Sequence, residues 1–175
     1  MDDRPVVAYK PEDAKSVSRE VTFQEDVEDF RYLKDVLFLL SLSVESRAAR
    51  IGLYGRGVTL KLTYADMKTV TRSRMIRSSR SAAVLYRETA ELLDQLEERP
   101  VRLVGAGLHN LESEEGRQLR LEEVFGEAEK ERTALVRERL SEMEARYGLD
   151  FSAFLTGGMR SDALYRTIES MRLHG

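Results

Sequence analysis

Adjacent carboxylates can hold the divalent metal ions that phosphoryl and nucleotidyl transfer require, and this chain carries such pairs at Asp2-Asp3, Glu25-Asp26 and Glu114-Glu115. Their settings argue against that chemistry. The first pair lies in a proline-containing stretch without period, the second joins a strand pattern to a helix pattern, and the third sits in a charged tail. In such places acids serve solvation or local structure. There is no Cys, which removes disulfides and thiolate metal sites. The two histidines, His109 and His174, are too few and too far apart for a zinc site. No P-loop or nucleophile-elbow spacing is present. The expectation is a chain without catalysis of its own and without cofactor or metal.

The cations tell more. The formal net charge is -3, yet between Gly55 and Arg80 the residues Arg56, Lys61, Lys68, Arg72, Arg74, Arg77 and Arg80 stand against Asp66 alone. A basic block inside a mildly acidic protein points to a polyanion-binding face; a solvated strand pair is the plainer alternative. Hydrophobic content of 42% and charged content of 34% suit one globular domain with a highly charged surface. The longest strongly apolar run, Val36 to Leu40, is far short of a membrane span, and the start lacks a signal-peptide pattern, so a cytoplasmic monomer is expected.

The elements that position these residues follow from periodicity. Ser16 to Gln24 alternates, with Val17, Val21 and Phe23 on one face, and predicts a strand. Phe30, Leu33, Leu37, Leu40, Val44, Ala48 and Ile51 recur at helical steps, with Asp29 to cap the start and Gly52 to end the helix. Val58, Leu60, Leu62 and Tyr64 alternate with Thr59, Lys61 and Thr63, so a strand from Arg56 to Tyr64 turns at Ala65-Asp66 into a polar strand from Met67 to Ile76. Ser81 to Leu96 predicts a second helix, stopped by Pro100, and Val101 to Leu108 a last strand. The order β-α-β-β-α-β is that of an α+β split βαβ fold: a four-stranded, mainly antiparallel sheet with two helices on one face and the other face free. Beyond it, Leu121 to Tyr147 is dense in Glu and Arg, with Phe125, Ala128, Leu135, Val136, Met143 and Tyr147 at roughly helical spacing; the many charges three and four residues apart predict a helix solvated over much of its surface and ended by Gly148. A short helix from Asp162 to Leu173 follows.

Three stretches, in this order, carry a family resemblance. They are Lys15 to Phe23 (KSVSREVTF) followed by Glu25-Asp26, Gly55 to Arg74 (GRGVTLKLTYADMKTVTRSR), and Pro100 to Gly105 (PVRLVG) with Leu108 and Asn110-Leu111. Over about residues 15 to 111 the chain resembles the C-terminal little finger domain of Y-family DNA polymerases, most closely the DNA polymerase IV branch. The resemblance implies a role as the accessory domain that holds primer-template duplex DNA during bypass of damaged template. Carried over position by position, it implies DNA contacts at Ser16, Ser18 and Arg19 and at Thr71, Arg72, Ser73 and Arg74, with Lys68 and Thr69 nearby. Such residues grip phosphates without reading sequence. It also implies that Met1 to Lys15 links to an absent palm domain, whose carboxylates would hold the Mg2+ of polymerase chemistry, and that residues 112–175 are a charged helical extension.

The family often carries a sliding-clamp peptide after this domain, typically Gln-Leu, a variable residue, then Leu-Phe. Gln118-Leu119-Arg120-Leu121 fills most of it, but Glu122 stands where Phe is expected and the nearest aromatic is Phe125. Without the aromatic anchor the segment reads equally as the first turn of an amphipathic helix. A module docking on the clamp or on other replication proteins is therefore the alternative to DNA binding. An RNA-binding domain of similar topology would stack bases on central-strand aromatics, and in the hairpin only Tyr64, a core-facing residue, is aromatic. A hydrolase of acylphosphatase type would need a phosphate-cradling loop with Arg and a well-placed Asn, and Asn110 is the single Asn, at the end of the last strand.

Overall fold

The computed structural model describes residues 16–115, 125–156 and 161–174. Its elements run β1 (Ser16–Val27), α1 (Phe30–Ile51), β2 (Leu53–Tyr64), β3 (Thr69–Ser79), α2 (Ala82–Asp94), β4 (Val101–Ser113), α3 (Phe125–Tyr147), a 3-10 turn (Ser152–Thr156) and α4 (Ser161–His174). The strands form one sheet of order β1-β4-β2-β3 with every neighbouring pair antiparallel. It follows that β1 and β2, joined through α1, run parallel with β4 between them. Likewise β3 and β4, joined through α2, run parallel with β2 between them. Each crossover skips one strand, which is the split βαβ pattern met twice, and β1 and β3 are left as the edges.

Local chemistry sets the boundaries. Asp29 caps α1, its carboxylate accepting from the backbone N–H groups of Arg31 and Tyr32 at 2.9 and 3.4 Å. Gly52 ends the helix in the left-handed region, at φ 71°, and donates back to Ala48 and Ala49. The start of α2 is capped from outside: Glu45 of α1 accepts from Ala82 N–H at 2.9 Å. The hairpin connection is longer than the Ala65-Asp66 turn expected. Met67 N–H donates to Tyr64 O, Asp66 accepts from Lys68 N–H at 3.1 Å, and Met67 takes φ 72°, so β3 begins at Thr69 rather than Met67. The strands otherwise outrun their patterns, β1 to Val27 across an irregularity in its pairing after Thr22, and β4 to Ser113.

The C-terminal helices join the core. Val136, Leu140, Met143 and Tyr147 of α3 are buried with Leu33, Val36, Leu37 and Leu40 of α1, so the helix that is largely solvated along its charged positions also carries an apolar seam at three- and four-residue steps. The seam is pinned by Asp35 of α1, which is wholly buried. Its carboxylate accepts from Arg146 Nη1 at 2.6 Å and from Tyr147 Oη at 2.5 Å, with Arg139 Nη2 3.9 Å away. Burial, then the hydrogen bond to Asp35, pushes the Tyr147 phenol well above its ordinary range. The last helix, α4, seals the β1 side: Tyr32 Oη donates to Ile168 O at 2.8 Å, Tyr165 Oη to Glu20 O at 3.0 Å, and Arg172 Nη1 to Glu25 O at 2.8 Å.

Removing a buried charge's partner strands the other charge, at about 3 kcal/mol. Asp35→Ala is expected to lower the urea unfolding free energy by about that amount, and Asp35→Asn, which keeps an acceptor for Tyr147, by less.

Candidate nucleic-acid interface

The helices α1 and α2 cover one face of the sheet, and alternation along each strand decides which side chains meet them. The cross-strand rows Val17–Leu108–Val58 and Val21–Val104–Leu62 point into the helix layer. The intervening rows are open and polar. One runs Ser18, Gly107, Thr59, Ser73 and the next Glu20, Gly105, Lys61, Thr71. They are flanked by Ser16, His109, Gly57, Met75 on one side and by Thr22, Leu103, Thr63, Thr69 on the other.

Glycines make this face shallow. A Cβ on Gly107 would stand 2.7 Å from the Cβ of Ser18, and one on Gly105 would stand 2.8 Å from the Cβ of Glu20. Strands β1 and β4 thus approach too closely for any side chain there. Over Gly105, Lys61 Nζ and Glu20 Oε1 close to 3.3 Å, an exposed pair. Hydroxyls of β2 reach both its neighbours, β3 and β4: Thr59 Oγ1 lies 3.1 Å from Ser73 Oγ and 2.8 Å from His109 Nδ1, and Thr63 Oγ1 lies 2.9 Å from Thr69 Oγ1.

The sequence-derived contacts divide between the two faces. Ser16 and Ser18 of β1 and Thr69, Thr71 and Ser73 of β3 lie on the open face and are exposed. Lys68 is exposed in the hairpin loop, where its backbone N–H, with Arg99 3.1 Å away, holds the Asp66 carboxyl below its ordinary value. Arg19, Arg72 and Arg74 belong to the helix-side rows, at the two sheet edges. Arg19 Nε donates to Ser43 Oγ of α1 at 3.1 Å. Arg74 Nη1 donates to Glu88 and Glu91 of α2 at 2.9 and 3.0 Å. Arg72, which donates to Thr71 O at 3.1 Å, is exposed. Arg80 stacks over Tyr54, 4.2 Å from its ring centroid, and Arg77 extends the exposed side of β3. Gln118, Leu119 and Leu121 of the clamp-like segment lie outside the described residues, and Phe125 opens α3. Thr59, Lys61 and His109 complete the open face; the alternation of β2 signals the first two, while His109 needed the β4 register.

Residues 14–121, which span all four strands, match the family model of the impB/mucB/samB family C-terminal domain. The chain belongs to this family. Curated relatives of the impB/mucB/samB C-terminal domain found here include DNA polymerase IV of Alkalilimnicola ehrlichii, 37% identical over 125 residues that make up 69% of this chain and 35% of the relative. DNA polymerase IV of Listeria monocytogenes is 34% identical over 113 residues, 63% of this chain and 32% of the relative. The chain therefore spans about a third of the length of these polymerases. Among solved structures, a chain from the complex of beta-clamp processivity factor and the little finger domain of PolIV aligns with 54% of this chain and 86% of its own length, at 24% identity and TM-score 0.49. The family match ends at residue 121, so α3 and α4 lie beyond it.

The glycine geometry is testable. Gly107→Ala must push Ser18 and the β1 backbone away and is expected to cost about 1–3 kcal/mol in urea unfolding. Ser18→Gly, which removes the Cβ it meets, should restore part of the loss in the double variant.

Proposed function

We propose that the open sheet face and the β3 edge grip primer-template duplex DNA through its phosphates, as the accessory domain of a translesion DNA polymerase. The observation that carries this reading is the exposed, hydroxyl- and cation-bearing side of β3. Thr69, Thr71 and Ser73 line its open side, Arg77 is exposed beyond them, and Lys68 and Arg72 flank them on an edge strand that no described element covers as the helices cover the other face. Family membership supports it, since the curated relatives are DNA polymerases. So does size. Four strands at about 4.8 Å spacing put β1 and β3 about 14 Å apart, comparable with the major groove width of about 12 Å. The two edges then fall near the flanking phosphate backbones, Ser16 and Ser18 at one and the β3 residues at the other.

On this reading the segment is a monomeric, non-catalytic part of a cytoplasmic enzyme. Its metal-binding carboxylates, and the Mg2+ they hold, belong to other segments of the longer protein. Hydroxyls, guanidinium groups and an ammonium contact phosphates and carry no base code, so binding is sequence-independent. Arg72 contributes more than Arg74, because Arg74 must first leave Glu88 and Glu91.

Fluorescence anisotropy with a labelled primer-template duplex tests the proposal. With about four to six phosphate contacts, binding should be micromolar or weaker, and log K should fall against log salt with a slope of about -4 to -5. Arg72→Ala should reduce that slope by about one, Arg74→Ala should change it less, and Glu at both positions should abolish binding. Absence of binding at low salt overturns the reading and turns attention to a protein partner, with a sliding-clamp pull-down as the next assay.

A further inference from the structure

His109 is held in a way that a surface histidine does not require. Its ring lies over Gly57, where a Cβ would stand 2.2 Å from Nε2 and 2.7 Å from Cδ2, so a side chain at position 57 would evict it. Its Nδ1 is 2.8 Å from Thr59 Oγ1, and Thr59 Oγ1 is 3.1 Å from Ser73 Oγ on the exposed β3 edge strand. Three polar groups thus form one hydrogen-bonded row from β4 across β2 to β3.

Each hydroxyl has one proton to donate, so the row has a direction. When Nδ1 carries no proton, Thr59 donates to it, Ser73 donates to Thr59, and Ser73 is left with lone pairs facing outward. When Nδ1 carries a proton it donates to Thr59, Thr59 donates to Ser73, and the Ser73 O–H is free to donate outward. A phosphate oxygen accepts only. We propose that His109, neutral with its proton on Nε2, is a positioning residue for phosphate at Ser73: uptake of a second proton from water, onto Nδ1, reverses the row and turns Ser73 from acceptor to donor. The inference rests on the DNA-grip reading of the same face.

The other members of the row, Thr59 and Ser73, are hydroxyls, so proton uptake falls to the imidazole. From β1 it is faced by Ser16 and Ser18 and from β3 by Ser73 and Met75. The ionic groups along these strands are the Lys61–Glu20 pair two rows away, Arg56 beside Gly57, and Arg77 two residues beyond Met75 in the irregular stretch of the β2–β3 pairing. Histidine is the side chain that changes charge between about pH 5 and pH 8, and the other histidine, His174, is the last residue of α4.

The test is anisotropy with labelled primer-template duplex at about pH 8 and about pH 5.5, at fixed salt. Wild type and the His174→Gln control should bind about three- to tenfold tighter at the lower pH, the factor one net hydrogen bond provides. His109→Gln should lose this ratio while unfolding at the same temperature as wild type. Ser73→Ala should lose it too, although its imidazole still takes up the proton, which separates the row from a bare cation effect. Binding heats in buffers of different ionisation enthalpy should show proton uptake in wild type and none in His109→Gln. A pH ratio that survives in either His109→Gln or Ser73→Ala overturns the inference while leaving the DNA reading intact. Absence of wild-type binding at both pH values overturns the DNA reading and this one with it.

Discussion

A buried carboxylate fixes how this molecule is layered. Asp35 stands in the middle of α1, a helix whose residues from Tyr32 to Leu42 are nearly all buried, Lys34 excepted. A helix buried on opposite sides needs cover on both. The sheet supplies one cover, and α3 supplies the other through Val136, Leu140, Met143 and Tyr147. An ionised Asp in that position is tolerated only with partners, and Arg146 and Tyr147 bring them from the last turn of α3. The residues beyond the family match are therefore part of the core. They also settle which sheet face stays open, because α1 and α2 are already enclosed between the sheet and the C-terminal helices.

Once one face is enclosed, strand alternation separates structural from exposed chemistry within single strands. In β2, Val58, Leu60 and Leu62 are fully buried while Thr59 and Lys61 between them face outward. In β3 the separation is less tidy, because it is an edge. Arg74 reaches around to Glu88 and Glu91 and ties the strand to α2. An arginine in a basic run is thereby structural on one side of the strand, while the neutral hydroxyls of Thr71 and Ser73 occupy the open side. The glycines of β4 keep that side flat, since any side chain at 105 or 107 would meet β1.

What was legible in the sequence was what is local. Asp29 and Gly52 bound α1 through hydrogen bonds to residues within four positions. The two-residue period of β2 assigns its faces without reference to any partner. The strand order and the pairing that seats α3 on α1 were not legible. Arg146 and Asp35 are 111 residues apart, and nothing near either marks the pairing. Charges at three- and four-residue spacing read as solvation, and in α3 most are, but the same spacing admits a buried seam of Val136, Leu140 and Met143. The ion pairs of Arg74 were not legible for a related reason. Its type and place matched a phosphate contact, and its two glutamates come from a helix whose docking angle the sequence does not state.

The composition of the open face bears on how selective any ligand recognition there can be. Base reading in a groove relies on bidentate donors and acceptors, from Arg, Asn or Gln held with their forks toward the base edges. The inner rows of this face offer Ser, Thr, a Lys engaged with Glu20, and glycines. Arg19, Arg72 and Arg74 stand instead in the helix-side rows of the two edge strands. A face of this make-up is suited to a polyanion held by charge and hydroxyl contacts whatever its sequence, because the small residues of β4 leave the inner rows flat and without a fork to read a base edge.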